Sequence, residues 1–270
     1  MFKKPYLFFL FLLLTCFLVS NCFAAVDDSY TKFLLHYDGT DESTTFTDES
    51  GKTITANGTA QIDIAQSKFG GASGLFDGNS DYLSLDDSND WNFGIGNFTI
   101  DCWVMFNSVT GSQVICSQYP NDSSNAWEIM YFQIFAIKRL QFGFVIGGEQ
   151  KGSYSTNWIP VVNTWYHIAI ERTTTTAKIF IDGVSQTLTE NTAFGTNDVG
   201  DITGDLEIGR RNTGGSTDAY FNGWIDELRI SKGVARWTAD FTPLTSAYGP
   251  TELRGRIVEQ MGGKMQGGFR

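Results

Sequence analysis

Residues 98–106 read FTIDCWVMF and residues 165–172 read WYHIAIER. In the first stretch Phe98, Ile100, Cys102, Val104 and Phe106 share one face, and Thr99, Asp101, Trp103 and Met105 share the other. In the second, Tyr166, Ile168 and Ile170 oppose Trp165, His167 and Glu171. A side-chain period of two is that of a β-strand. One apolar and one partly polar face per strand predicts two sheets packed face to face.

The same alternation recurs on both sides of these stretches. It is present at 32–37, 60–64, 73–77, 82–85, 113–118, 127–134, 140–146, 177–182, 205–209 and 224–230, with Gly, Asn, Asp, Ser and Thr clusters between. The 29 glycines against five prolines predict turns with positive φ, and Asp182-Gly183 after AKIFI is a hairpin signal. Helical periodicity is nearly absent. The fold class expected is all-β, a two-sheet antiparallel jelly-roll sandwich.

The ends of the 270-residue chain differ from its middle. Lys3 and Lys4 precede a thirteen-residue apolar run from Leu7 to Val19, followed by Cys22-Phe23-Ala24 with small residues at the positions a signal peptidase reads. Residues 1–24 are therefore expected to be a secretory signal, the run being short for a bilayer span of about 20 residues. Lipid attachment at Cys22 fits poorly, because Asn21 stands where a small residue is wanted. Residues 25–248 form the expected domain. Residues 249–270 are polar and Gly-rich, and read as a disordered tail or the stub of a linker. The expected location is secreted, extracellular or at the cell surface. No later apolar run is long enough to span a membrane.

Without the two signal lysines the chain carries 17 basic against 30 acidic residues. That balance repels nucleic acid phosphates and anionic membranes, and suits neutral ligands or cations. Two cysteines, Cys102 and Cys116, remain after the signal. If 98–106 and 112–118 form a hairpin about 109–111, Val104 faces Val114 and Cys102 faces Cys116, both inward. The expectation is either a cross-strand disulfide or two buried thiols packing as small hydrophobes.

Six segments carry a resemblance: LLHYDGT at 34–40, QSKFGGASGLFDGNSDYLSL at 66–85, NFTIDCWVMF at 97–106, WYHIAIER at 165–172, AKIFIDG at 177–183 and GWIDELRISKGVARWTADFTP at 223–243. In this order they resemble the laminin G-like, concanavalin A-like jelly-roll family, over about residues 30–248. The resemblance implies a fold shared by lectins, adhesion modules, glycoside hydrolases and polysaccharide lyases, so function has to be read from the site. Relatives often carry one structural Ca²⁺. The positions that match their ligands are Asp38 in HYDG and Asp226 in WIDEL, with carbonyls from turns such as Gly39. A second candidate is Asp77 with Asp81 around Asn79, where ordinary turn chemistry is the competing reading.

Catalysis is not expected. Glycosidases of this fold place paired carboxylates on one strand in an alternating run, and none exists here. Asp226 and Glu227 are adjacent, so in a regular strand they face opposite ways. Glu128, Glu171 and Glu207 stand alone on their strands, and only His36 and His167 are available to a lyase-type centre. His167 reads as a hydrogen-bonded structural residue, and Trp103, Trp165, Trp224 and Trp237 as packing residues. Carbohydrate sites use aromatic faces beside polar groups. The candidates are Trp127, Tyr154 and Trp158, with Tyr119 and Arg210-Arg211 beside loops. Asn57, Asn97 and Asn121 begin glycosylation sequons, which matter only in a glycosylating host. The leading expectation is a secreted, non-catalytic module that binds a glycan. Alternatives are a structural or adhesive domain of a surface or phage-like particle that binds an extracellular protein surface, and a divergent glycoside hydrolase or polysaccharide lyase.

Overall fold

The computed structural model describes residues 29–120, 124–215 and 219–249. The expected signal at 1–24, the sequon at Asn121 and the tail from 250 onward lie outside the described residues.

The strands in chain order are β1 (Thr31–Leu35), β2 (Thr55–Asn57), β3 (Gln61–Asp63), β4 (Ser73–Asp77), β5 (Tyr82–Leu85), β6 (Phe98–Phe106), β7 (Gln113–Gln118), β8 (Ala126–Ile134) and β9 (Ile137–Ile146). They continue with β10 (Glu149–Asn157), β11 (Trp165–Thr173), β12 (Thr176–Ile181), β13 (Val184–Ser185), β14 (Thr189–Thr192), β15 (Leu206–Ile208), β16 (Arg210–Arg211), β17 (Ala219–Tyr220) and β18 (Asn222–Lys232). Two eight-stranded antiparallel sheets form the sandwich. Sheet A runs β13-β12-β11-β6-β18-β4-β3, with β1 also paired to β18. Sheet B runs β14-β10-β9-β8-β7-β15-β5-β2, and β16 and β17 form a separate ribbon.

The core lies between the sheets, where the expected inward face of β6 meets alternate residues of β8 and β9. Phe98 contacts Phe142 at 5.6 Å between ring centres, and Phe106 contacts Tyr131 at 5.5 Å. Such large rings dominate the buried apolar area that drives folding. The β12–β13 turn places Asp182 at φ 49° and Gly183 at φ 77°, as a two-residue hairpin turn requires.

The proposed β6–β7 hairpin does not form. β6 pairs with β11 and β18 in sheet A, whereas β7 pairs with β8 and β15 in sheet B. Both strands are buried along their whole length, so each needs partners on both edges. The chain crosses the sandwich between 107 and 112 instead of turning back. Cys102 and Cys116 therefore point inward from opposite sheets as two free, buried thiols, in place of the cross-strand disulfide. Burial pushes both thiols up, which makes them unreactive.

The partly polar outer face of sheet A is itself covered. A strap from 234 to 248 lies over it, with Trp237 stacked on Phe241 at 4.0 Å and His167 edge-on to both rings. Beneath the strap Asp101 receives Arg229 Nε at 2.9 Å and Nη2 at 3.1 Å, together with the Tyr248 hydroxyl, and His167 Nε2 lies 3.5 Å away. Burial alone would raise the Asp101 carboxyl, but Arg229 and His167 outweigh it and hold it far below the usual carboxylate range. The outer face of sheet B is covered in part, with Ser117, Ser153, Ser155 and Glu207 buried and Glu128, Gln141, Arg210 and Arg211 half-buried.

Candidate functional site: the outer face of sheet B

The register of sheet B lines up side chains that lie far apart in sequence. Ser153 faces Gly143, Gly143 faces Glu128, Glu128 faces Ser117, and Ser117 faces Glu207, which faces Ser84 on β5. Trp127, Ile129 and Leu206 point into the core, so these neighbours point out. Two carboxylates thus stand in one row with a single serine strand between them. At one strand spacing of ~4.8 Å, their backbone positions are roughly 10 Å apart. A parallel row holds Ser155, Gln141, Met130 and Val114.

The β16–β17 ribbon rises over β7 and supplies the cations. Ser117 Oγ donates to the Arg210 carbonyl at 2.8 Å, which anchors the ribbon. Ala219 packs on Val114 and Met130. Arg211 Nη1 lies 3.3 Å from Glu128 Oε2, and Arg210 Nη1 lies 3.4 Å from Glu207 Oε1. Arg210 stacks over the Tyr82 ring at 4.4 Å and approaches Tyr220, while Arg211 approaches Tyr119. Burial raises the Glu128 carboxyl, with Arg211 opposing it. Gly143 leaves the row without a side chain between Ser153 and Glu128, and at the floor Gln141 Oε1 is buried without a donor among the described residues. Asn191 Nδ2 reaches Ser153 and Ser155 at the β14 edge. With the serines and Glu207 nearly closed off, the face presents the Asn191 amide, the partly exposed Glu128, Arg210 and Arg211, and a tyrosine rim. That is chemistry for a neutral, hydroxylated ligand.

The aromatic candidates are placed differently. Trp127 is fully buried, its Nε1 donating to Gln118 Oε1 at 3.1 Å, because it is the second residue of β8 and faces inward. Tyr154 is buried on the inward side of β10, packed on Phe194 at 4.7 Å with its hydroxyl accepting Phe194 N. Neither can be a ligand platform, and both are corrected to core residues. Trp158 is half-buried among Phe106, Tyr131 and Tyr166, and it alone of the three lines an open groove.

The acidic pairs also divide. Asp77 accepts N–H groups from Asn79, Ser80 and Asp81, and Asp81 accepts from Thr59 and from Asp77 N. Their oxygens are used in closing the turn. Asp38 and Asp226 instead converge on one loop. Asp226 Oδ2 accepts Lys68 N at 2.8 Å and Phe69 N at 3.1 Å, and the Asp38 carboxylate lies so close to Gly70 that a Cβ there would meet its Oδ1 at 1.7 Å. Asp226 Oδ1 is buried without a donor among the described residues. Burial pushes the Asp226 carboxyl up to about 8, against the two loop N–H groups. An orphaned buried carboxylate oxygen, with a second carboxylate on the same loop, fits a hard cation, and loop carbonyls could be further oxygen ligands. Among the described residues no group of three or more His, Cys, Asp or Glu is gathered for a metal.

Asp226 and Glu227 do not alternate as a regular strand would require. A bulge in β18, with Glu227 at φ 52°, falls where the edge partner changes from β4 to β1. Glu227 consequently joins Asp226 toward the outer side, accepting Tyr248 N at 2.8 Å and lying 2.6 Å from His36 Nδ1.

Residues 77–238 match the family described as the concanavalin A-like lectin/glucanases superfamily. No curated protein matches the sequence. Among solved structures, domain 4 of AbnA, a GH43 extracellular arabinanase from Geobacillus stearothermophilus in complex with arabinotriose, is similar at a TM-score of 0.54 and 20% identity, over 76% of this chain and 94% of that one. The binding domains of botulinum neurotoxin serotypes C1 and D are similar at TM-scores of 0.53 and 0.54, with 15% and 12% identity, and this chain spans 49% of each. At these identities the likeness is one of fold.

Proposed function

The chain belongs to the concanavalin A-like lectin/glucanases superfamily, and from that premise we propose that it is a secreted, non-catalytic module that binds a neutral glycan on the outer face of sheet B. The observation that carries this reading is the partly exposed Glu128–Arg211 pair, in register with Ser117 and Glu207 and flanked by Arg210 and tyrosine rings. Sugars offer adjacent hydroxyls that pair with carboxylates and guanidinium groups, and C–H faces that lie on aromatic rings. Both Glu128 and Glu207 are engaged by arginine, which suits hydrogen-bond acceptance better than proton transfer.

Calcium belongs to the same proposal as a structural ion. Asp38 and Asp226 would hold it against the 68–70 loop, and it would supply charge compensation to a buried carboxyl. The AbnA domain was captured with arabinotriose, so arabino-oligosaccharides are the first probes. A glycan array read with and without EDTA tests the proposal. Selective binding supports it, and no binding to any glycan turns attention to a protein partner. Two carboxylates in one row also favour a second reading, a divergent hydrolase. Release of reducing ends from a polysaccharide panel would establish that instead.

A further inference from the structure

The apolar residues left exposed are concentrated at one end of the sandwich. At the β8–β9 hairpin tip Ile134 is 46% exposed, Phe135 96% and Ile137 52%, and in the neighbouring loop Ile159 is 66%, Val161 62% and Val162 39% exposed. A groove of about 450 Å³ separates the two, lined by Ala136, Ile137, Lys138, Asn157, Trp158 and Ile159. Contiguous exposure of this kind marks an interaction site.

The tip is held in shape. Trp158 N donates to the Lys138 carbonyl at 3.2 Å, Val161 N to the Tyr166 hydroxyl at 3.0 Å and Asn163 N to the Phe106 carbonyl at 2.9 Å. Phe135 sits at φ 53° at the turn, directed away from the core. Behind the tip, Trp158 packs edge-on to Tyr166 at 5.2 Å, and Trp165 is half-buried beside them in sequence.

Charge identifies the occupant. Residues 131–139, 157–166 and the adjoining 107–112 contain Lys138 and Arg139 but no Asp or Glu, in a chain with 30 acidic residues. Arg139 lies over the Phe132 ring at 4.5 Å, and its Nε is buried without an acceptor among the described residues. A rigid apolar prow, an aromatic collar and two cations behind them match the layers of a membrane interface: acyl chains, the headgroup boundary and phosphates. We propose that this end of the sandwich docks on a phospholipid bilayer, with Phe135, Ile137, Ile159 and Val161 entering the acyl boundary and Lys138 and Arg139 meeting headgroup phosphates. A two-fold contact with a second copy would set these cations against each other.

The test mixes the full chain with vesicles of phosphatidylcholine brominated on its acyl chains and follows quenching of tryptophan fluorescence. The wild type is expected to be quenched. Phe135→Asp and Ile159→Asp, both at exposed positions, should need at least about tenfold more lipid for the same quenching. Their thermal melts should be unchanged. Equal quenching of wild type and both variants would overturn the proposal, as would absence of quenching in the wild type. A dimer in sedimentation velocity that Phe135→Asp dissolves would also overturn it, by giving the patch to a second copy.

Discussion

Replacing Asp101 by Asn removes one charge from a fully buried ion pair and changes little in shape. Asp101 is fully buried and Arg229 is 2% exposed. The carboxylate takes two guanidinium bonds and the Tyr248 hydroxyl, so it joins β6, β18 and the strap. Asn cannot neutralise Arg229, and breaking one side of a buried pair costs ~3–5 kcal/mol. In a domain of this size 1 kcal/mol corresponds to about 2–4 °C, which gives a fall in Tm of roughly 6–20 °C. Urea and thermal unfolding of wild type, Asp101→Asn, Arg229→Met and the double variant form the assay. The double variant should recover much of the loss, because a neutral pair leaves no uncompensated charge. A fall below about 1 kcal/mol for Asp101→Asn, or strictly additive losses, would refute the account of the strap as an electrostatic clasp.

Burial raises the Glu171 carboxyl to about 7, against hydrogen bonds from Trp237 N and Thr99. The folded state then holds a proton that the unfolded state releases above about 4.3, so stability falls as pH rises from about 4.3 to 7, by on the order of 3–4 kcal/mol, and Glu171→Gln should flatten that slope. Millimolar Ca²⁺ should raise the Tm of the wild type, by ~2.7 kcal/mol of stabilisation at a hundredfold excess over Kd, and this should vanish in Asp226→Asn. Gly70→Ala, which drives a Cβ onto the Asp38 carboxylate at φ +62°, should lose the calcium response as well as ~1 kcal/mol or more of stability. Cys102 and Cys116 should alkylate only after unfolding and without added reductant, as peptide mapping would reveal; a linked Cys102–Cys116 peptide would contradict the free thiols.

Much of the fold was legible because the core faces follow a period of two. The expected strands at 98–106, 165–172 and 224–230 stand as β6, β11 and the centre of β18. β10 was missed because its inward positions are Gly152, Tyr154 and Thr156, so its alternation carries one apolar signal. The same polarity hid the candidate site. Ser153, Ser155 and Gln141 have no motif, and Glu128 and Glu207 stand alone until register places them in one row. Trp127 and Tyr154 were misplaced for a related reason: a neighbouring polar loop suggested exposure, whereas strand parity turned both inward. Local alternation also could not distinguish a β6–β7 hairpin from a crossing between sheets, since partner choice depends on strands elsewhere in the chain. The convergence of Asp38 and Asp226 on the 68–70 loop depends on a bulge at Glu227 that alternation does not announce.

The central claim is that the outer face of sheet B binds a glycan through Glu128, Glu207 and their arginines. Calorimetric titration of the wild type, Glu128→Gln and Arg211→Ala with the glycan selected by the array tests it most directly. The account predicts saturable binding with no release of reducing ends, weakened about tenfold or more in both variants. Binding of unchanged strength in both variants would contradict it.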